Sequence, residues 1–172
     1  RFSGKAGHSL HYFLGEQVCM LGTFSKIVAP GMRIGWIACK EPQVRAKLLA
    51  YKSTMDLHTN IFGQMVLAQF LQDVDLDAHI ETTKELYRQK AEYMLECMDK
   101  FFPKEVEFTK PEGGMFVWAT MPEGVKAVDV TRAAIEKGVA VCPGDPFYEY
   151  ERDVRTLRIN YSNSTNEDIE KG

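Results

Sequence analysis

The chain carries the decisive sequence Gly22-Thr-Phe-Ser-Lys-Ile-Val-Ala-Pro-Gly-Met-Arg-Ile-Gly-Trp36, a polar turn set between two apolar runs. The runs are residues 17–22 (Gln-Val-Cys-Met-Leu-Gly) and residues 34–39 (Ile-Gly-Trp-Ile-Ala-Cys). Short apolar runs bounded by turn residues predict two buried strands. A turn fixed between two rigid strands is a frequent position for binding and catalytic side chains. The residues of this turn are therefore the first candidates for a functional site.

Four side chains of the turn suit a phosphorylated aldehyde. Lys26 supplies an amine that can bond to the aldehyde carbon, and hydroxyls stand three and one residues before it at Thr23 and Ser25. Arg33 follows a Pro-Gly reversal that can fold its guanidinium back, and a planar fork donates two parallel hydrogen bonds to phosphate. Each residue taken alone is better explained as a solvated loop residue. Their order between two strands makes a cofactor site as good an explanation as a surface loop.

The rest of the chain predicts helices followed by a small mixed lobe. Apolar residues at helical spacing predict three helices, and Pro103 ends the longest of them. These helices cover about residues 42–52, 60–71 and 75–101. The tail is predicted to be a separate α+β lobe, with the long helix as its connector. Its predicted elements are strands at 106–108, 115–119, 139–142 and 157–161, and a helix at 128–137.

The last residues predict a helix that has little to bury. The sequence Ser164-Thr-Asn-Glu167 has the form of a capping box, which announces a helix start. Ile169 is the one large apolar side chain that follows it. A helix that short is marginal by itself. We therefore expect the chain to be the C-terminal part of a longer protein, truncated at both ends.

Composition excludes several classes of function. The 172 residues carry a net charge of −3 with no basic stripe, so we expect no direct nucleic-acid contact by this segment. The apolar runs are strand-sized and no apolar signal segment opens the chain, so we expect no membrane and a cytoplasmic location. Of four scattered cysteines, three stand in apolar runs where thiols are commonly buried and reduced. His8 and His11 have no third ligand in view, so we expect no metal.

The segment from Thr23 to Trp36 resembles the lysine motif of fold-type I, pyridoxal 5′-phosphate (PLP)-dependent aminotransferases of class I/II. It is most similar to the branch that holds 2-aminoadipate and kynurenine aminotransferases and the aminotransferase-like domains of MocR-type regulators. The resemblance continues in family order over nearly the whole chain. The further matching segments are Asp56-Leu-His-Thr59, Pro111-Glu-Gly-Gly-Met-Phe-Val-Trp118, Gly138-Val-Ala-Val-Cys-Pro-Gly144 with Phe147, and Thr156-Leu-Arg-Ile-Asn-Tyr-Ser162.

This resemblance implies a role for each candidate residue. Lys26 would be the Schiff-base lysine and the proton shuttle between the substrate α-carbon and the cofactor. Thr23, Ser25 and Arg33 would hold the cofactor phosphate, and Arg158 would bind the substrate α-carboxylate. Arg158 alternates with Leu157 and Ile159, which places it on the strand face turned away from the core. A plain surface charge is the alternative for Arg158, and Arg155, in the charged loop 149–155, is expected to be solvated.

The resemblance also implies the architecture and the partners. The fold class is α/β: residues 1–74 would be the end of the PLP-transferase large domain. Residues 75–172 would be the connecting long helix and the small α+β C-terminal domain. The implied substrates are an amino acid and a 2-oxo acid, and the full-length protein is expected to be a homodimer.

The family supplies the rest of its active site from positions before the lysine: an acid beside the pyridine nitrogen, a tyrosine, an asparagine and a stacking aromatic. Only 25 residues precede Lys26, none is an aspartate, and Tyr12 does not match the family's tyrosine position. We therefore expect this segment alone to be inactive. Two alternatives stay open. One is the effector-binding domain of a MocR-type transcription regulator, and the other is a folded segment that binds no cofactor.

Overall fold

The computed structural model describes residues 2–5, 7–150 and 154–172. They form two compact units, residues 5–83 and residues 84–172 together with residues 1–4. The helices are α1 (Leu10–Leu14), α2 (Pro42–Met55), α3 (Ile61–Asp73), α4 (Leu76–Phe101), α5 (Ala127–Glu136) and α6 (Asn166–Lys171). The strands are β1 (Met20–Thr23), β2 (Gly35–Ala38), β3 (Glu107–Phe108), β4 (Phe116–Thr120), β5 (Cys142–Pro143) and β6 (Thr156–Asn160). No helix in these ranges combines the length and apolar character needed to cross a bilayer.

The unit of residues 5–83 is built on the β1–β2 hairpin. The strands are antiparallel, with a register that runs from Met20 opposite Ala38 to Thr23 opposite Gly35. Two predicted strands are therefore confirmed, but the prediction that they are buried is wrong, since their residues are exposed or half-buried. In the described residues β1 and β2 pair only with each other, so the outer edge of each strand has no further strand paired to it. Among these residues, the buried side chains of this unit are Ile34 and Leu67.

The other unit centres on a four-stranded antiparallel sheet in the order β3-β4-β6-β5. Its middle pair, β4 and β6, aligns Val117 with Ile159 and Ala119 with Leu157. Alternate side chains of these strands point to one face, where they meet apolar residues of α4 and α5. The buried core comprises Ala91, Met94, Met98, Val106, Val117, Ala119, Met121, Ala127, Val154, Leu157, Tyr161 and Ile169.

The predicted helices are confirmed, but two local details differ from the sequence-based expectation. The strand predicted at 139–142 is wrong except at its last residue, because the amide of Val139 donates to Ala134 O (2.9 Å) and so continues the turn that ends α5. The capping box lies one residue later than predicted. Thr165 Oγ1 accepts from Asp168 N, and Asp168 Oδ2 accepts from Thr165 N. The carbonyl of Ser164 instead accepts from Lys90 Nζ at 2.6 Å.

Tyr161 offers a test of the packing in this core. Its side chain is 0% exposed, and its hydroxyl has no hydrogen-bond partner among the described residues. A buried hydroxyl without a partner retains its desolvation cost, so Tyr161→Phe should leave the free energy of unfolding unchanged or raise it by up to about 1 kcal/mol. Urea denaturation at neutral pH measures this difference. A loss of about 2 kcal/mol would show that the hydroxyl is satisfied.

The same residue predicts a loss of stability in alkali. Burial, with a smaller contribution from Tyr87, raises the pKa of Tyr161 to about 12. The unfolded tyrosine loses its proton near pH 10, whereas the native one keeps it until about pH 12. The native state therefore binds the extra proton in this window, and stability falls as pH rises through it. Tyr161→Phe should reduce this fall when unfolding is compared between pH 10 and pH 12.

Candidate functional site

The turn that carries Lys26 is fixed by backbone hydrogen bonds just beyond β1. Phe24 N donates to Ile34 O at 3.0 Å, which extends the β1–β2 ladder by one pair. The carbonyl of Phe24 then accepts from three successive amides, those of Ile27 (3.3 Å), Val28 (2.8 Å) and Ala29 (3.2 Å). The chain is thereby wound tightly around this one oxygen. Lys26 lies on the outside of that turn with its side chain exposed.

Three of the predicted phosphate ligands are brought together in this turn. Thr23 Oγ1 accepts from Ser25 N at 3.1 Å, and Arg33 Nη1 donates to Ser25 Oγ at 3.4 Å. Arg33 Nη1 also donates to the carbonyl of Pro30 at 3.2 Å. We call residues 23–33 the Lys26 turn.

Arg33 has an unusual backbone conformation. Its φ of 53° and ψ of 41° lie in the left-handed region, directly after the 3-10 turn Pro30–Met32. An L-residue other than glycine adopts this conformation at a cost of roughly 1–2 kcal/mol. The reversal occurs at the same residue whose guanidinium reaches Ser25. The strained backbone conformation and the side-chain contact with Ser25 therefore occur at the same residue, Arg33.

The charges of the Lys26 turn fit a phosphorylated ligand. Within the described part of the chain, neither Lys26 nor Arg33 forms an ion pair with a carboxylate. Two cations and two hydroxyls without a balancing anion favour a group with two negative charges, and a planar guanidinium suits phosphate oxygens. Lys26, the residue after Ser25, adds an exposed amine of the kind that bonds to an aldehyde. This donor set fits PLP.

The packing of Trp36 requires a glycine at position 22, just before the Lys26 turn. It lies opposite Trp36 in the hairpin, and a Cβ at this position would collide with the indole ring. The absence of a side chain lets the Trp36 ring lie across the strand that leads into the turn.

Arg158 lies at the centre of the four-stranded sheet. It is opposite Trp118 on β4 and Cys142 on β5, on the face turned away from the core residue Leu157. The guanidinium carbon lies 4.3 Å from the centroid of the Phe116 ring and 4.6 Å from that of Phe147. Rings at this distance attract a cation and fix the plane of the guanidinium.

One polar atom of Arg158 has no partner. Its Nε is buried, and no hydrogen-bond acceptor meets it in the parts of the chain described above. Buried donors without an acceptor are rare because the lost solvation is expensive. Arg158 is therefore a half-buried residue on the outer face of the sheet, with a buried Nε, rather than a fully solvated charge.

Phe147 reaches Arg158 because of the turn that precedes it. Gly144 N donates to Thr156 O at 2.7 Å, and the 3-10 turn Asp145–Phe147 starts there. The Phe147 ring also meets Trp118 edge-on, with centroids 5.6 Å apart. A Cβ on Gly144 would collide with Thr156 Oγ1 and lie 2.9 Å from Thr156 O. Only glycine allows this close approach.

Gly144→Ala should therefore push the 145–147 turn away from β6. We expect a loss of about 1–3 kcal/mol in the free energy of unfolding, since overpacking against backbone atoms cannot relax freely. Urea denaturation measures the loss. The matched control is Gly31→Ala, because a Cβ on Gly31 meets no atom within 4 Å. Equal stability of Gly144→Ala and wild type would contradict the close contact.

The expectations for Arg155 and for three cysteines need revision, and one residue beside Arg158 was missed. Arg155 is not solvated: it is half-buried, and its Nη1 donates to the carbonyl of Met121 at 3.2 Å. Residues 151–153 of the charged loop lie outside the described residues. The flanking role of Phe116 was missed, although Phe116 stands two residues before Trp118 and so shares its strand face. The cysteines expected to be buried are exposed at Cys19 and half-buried at Cys39 and Cys142.

The candidate residues fall into two separate groups. The Lys26 turn belongs to the unit of residues 5–83, and Arg158 belongs to the unit of residues 84–172. In the described residues, no three or more His, Cys, Asp or Glu side chains form a group that could hold a metal ion. His8 and His11 belong to no such group.

Comparison with known proteins identifies relatives over the whole chain. The family model described as "Aminotransferase class I and II" matches residues 4–172. Aromatic-amino-acid aminotransferase 1 of Thermococcus litoralis is 45% identical over 100% of this chain. The 2-aminoadipate transaminase of Thermus thermophilus is 39% identical over 90% of it. The match covers 41% and 38% of the lengths of these two relatives, so the chain spans less than half of each.

The solved structures that superimpose on this chain are also aminotransferases. The multiple substrate aminotransferase of Thermococcus profundus superimposes with a TM-score of 0.91 at 40% identity, over 100% of this chain and 43% of its own. LysN, the α-aminoadipate aminotransferase of Thermus thermophilus, was solved in complex with N-(5′-phosphopyridoxyl)-L-leucine. It superimposes with a TM-score of 0.92 at 36% identity, over 99% of this chain and 44% of its own. A more distant relative is the HTH-type transcriptional regulator YjiR of Escherichia coli, 29% identical over 84% of this chain and 30% of its own.

Proposed function

Because this chain belongs to the class I and II aminotransferase family, we propose that it is the segment of a PLP-dependent aminotransferase that carries the cofactor lysine. The reaction would transfer an amino group between an amino acid and a 2-oxo acid. One observation carries the proposal: the exposed Lys26 amine lies in a turn where Thr23, Ser25 and Arg33 are joined by hydrogen bonds. The related enzyme LysN, which holds a phosphopyridoxyl compound, supports PLP as the cofactor.

Each residue of the Lys26 turn has a defined task in this proposal. Thr23, Ser25 and Arg33 would bind the phosphate oxygens, and Thr23 also holds the turn by accepting from the amide of Ser25. Bound PLP supplies an aldehyde that accepts the amino group and a ring that withdraws electrons from the substrate α-carbon. Lys26 Nζ would hold the cofactor through its aldehyde carbon and, when the amino acid takes that place, would be free to carry the proton of the substrate α-carbon. The exposed position of Lys26 supports this exchange of partners.

Arg158 is proposed to bind the substrate α-carboxylate. Its guanidinium is held between Phe116 and Phe147, and its buried Nε has no acceptor in the described residues. A carboxylate would accept hydrogen bonds from two nitrogens of the planar fork. The rings of Phe116 and Phe147 fix the plane of the guanidinium, so the fork is already oriented for the carboxylate. These contacts support a binding role rather than a proton-transfer role.

The remaining parts of the proposal concern the whole protein. We propose residues 1–74 as the end of the large domain, and residues 75–172 as the connecting long helix, represented by α4, and the small domain. The full-length protein is proposed to be a homodimer, because α2 and α3 expose large apolar side chains of the kind that subunit contacts cover, namely Met55, Phe62 and Met65. A cytoplasmic location agrees with four cysteines present as free thiols.

A second candidate function is the effector-binding domain of a MocR-type transcription regulator. The 29% identity with YjiR favours it specifically. The aminotransferase relatives are more similar, at 45% and 39%, which is why the enzyme comes first. Both candidates use the Lys26 turn to hold PLP. They differ in whether an amino group is turned over.

The experiment that tests the proposal uses the full-length protein with PLP. We expect an absorption band of lysine-bound PLP, which changes when an amino acid is added and returns when a 2-oxo acid follows. Aromatic amino acids, kynurenine and 2-aminoadipate are the first amino-group donors to test, because related proteins are named for these compounds. A PLP absorption band that forms but shows no transfer of an amino group from amino acid to 2-oxo acid would favour the regulator. The absence of any band would contradict both candidates.

A further inference from the structure

Two cysteines face each other at the open end of the β1–β2 hairpin. Cys19 immediately precedes β1 and Cys39 immediately follows β2, so the register continues from the Met20–Ala38 pair to place them opposite each other. Their sulfur atoms are 3.0 Å apart, and Cys19 Sγ donates a weak hydrogen bond to Cys39 Sγ. Both are free thiols.

The hairpin geometry at this pair suits a covalent bond. The hydrogen bond from Phe24 N to Ile34 O marks residues 24 and 34 as a hydrogen-bonded pair of the antiparallel ladder. Such pairs recur at every second position, so Met20 and Ala38 form another one and Cys19 and Cys39 do not. In non-hydrogen-bonded pairs the Cα atoms lie about 4.5 Å apart, within the range of about 4.4–6.8 Å that disulfides span.

We propose that Cys19 and Cys39 are a thiol–disulfide exchange site, at which a small-molecule disulfide converts the pair into an intramolecular disulfide. The Cys39 thiolate attacks one sulfur of the reagent, forms a mixed disulfide and releases one small thiol. The Cys19 sulfur then attacks the Cys39 sulfur and releases the second small thiol. Two protein thiols are oxidised, one external disulfide is reduced, and the two protons pass to the released thiols.

The order of these steps follows from the contact between the two sulfurs. Because the hydrogen bond to Cys39 raises the pKa of the Cys19 thiol, we assign the first attack to Cys39. The second step needs little movement. A separation of 3.0 Å must shorten by about 1 Å to reach the S–S bond length.

The disulfide would enclose the Lys26 turn. Thr23, Ser25, Lys26 and Arg33 all lie between Cys19 and Cys39 in sequence. Oxidation therefore closes the base of the hairpin that presents these residues and limits how far the two strands can separate. The site stands apart from the proposed amino transfer, since neither sulfur has a task in that reaction.

The test begins with the purified full-length protein and oxidised glutathione. Among the four cysteines of this chain, we expect titratable thiols to fall from four to two, with a mass loss of two hydrogen atoms and no retained glutathione. After denaturation, trypsin releases residues 6–26 and residues 34–40 as separate peptides. These two peptides should be joined in the oxidised sample and separate after reduction. Glutathione retained on single cysteines, or no loss of thiols in this segment, would overturn the proposal.

Variants and a second readout make the test independent of activity. Cys142→Ser should still form the link, whereas Cys19→Ser should stop at a glutathione adduct on Cys39. Chains that trypsin has cut only after the exposed Lys26 or Arg33, within residues 19–39, should stay in one piece on a denaturing gel until reductant is added. Separation without reductant would overturn the proposal. The disulfide is detected by mass and does not depend on activity. If it did not form, the aminotransferase proposal would be unaffected. If the enzyme were inactive, the disulfide could still be measured.

Discussion

Lys26→Ala should abolish amino transfer by the full-length protein, with kcat reduced by roughly 10³-fold or more. Proton transfer by a positioned side chain alone contributes about 10²–10⁴-fold, and here the same amine also bonds to the cofactor. Stability should not change, because the Lys26 side chain is exposed and exposed substitutions shift the free energy of unfolding by about 0.5 kcal/mol or less. Initial rates with a saturating amino acid and 2-oxo acid measure the effect.

The control for Lys26 is another exposed lysine of the same unit. Lys47 lies on the outer surface of α2, and Lys47→Ala should keep wild-type rates. Borohydride reduction provides a second readout, since it fixes lysine-bound PLP to the peptide that contains Lys26. If PLP became fixed to another lysine in the wild-type protein, the assignment of Lys26 would be wrong even if the activity loss were observed.

Arg158→Ala should raise the KM for the amino acid and lower kcat/KM by about 10²-fold, because loss of one partner from a buried charge pair costs about 2–5 kcal/mol. PLP affinity should stay close to that of the wild type, since the assigned phosphate ligands lie in the other unit. Spectroscopic titrations with PLP and with the amino acid separate the two affinities.

Two further variants separate charge from geometry at Arg158. Arg158→Lys keeps the positive charge but loses the planar fork and its stacking between Phe116 and Phe147, so we expect an intermediate KM. Arg155→Ala removes a neighbouring arginine that donates to the carbonyl of Met121, so it should lower stability without changing the KM. Equal losses of PLP and amino-acid affinity in Arg158→Ala would contradict a carboxylate-binding role.

Local signals predicted the parts of this protein that depend on local chemistry. The turn between β1 and β2 follows from its Pro, Gly and hydroxyl residues, and helix starts such as Asn60 follow from capping. The capping box at Thr165 was displaced by one residue because Ser-Thr offers two hydroxyls and Glu-Asp two carboxylates in succession. Sequence spacing alone does not choose between them. In the structure Ile169 N donates to Thr165 O, which makes Thr165 the capping residue.

Features that depend on distant residues could not be predicted in this way. Phe147 flanks Arg158 only because β5 and β6 pair and because Gly144 lies against Thr156. The exposure of β1 and β2 likewise depends on which other strands pair with them, which their own apolar sequence does not reveal. The contact between Cys19 and Cys39 needs the hairpin register, since the two residues are 20 positions apart in sequence.

Arg33 holds a left-handed backbone conformation that glycine or asparagine adopts at lower energy. Directed evolution of this protein for heat resistance would therefore enrich those two residues at position 33. Every variant selected in this way would lack the guanidinium that donates to Ser25. A library that includes this position should be sorted on retained cofactor colour before it is sorted on melting temperature.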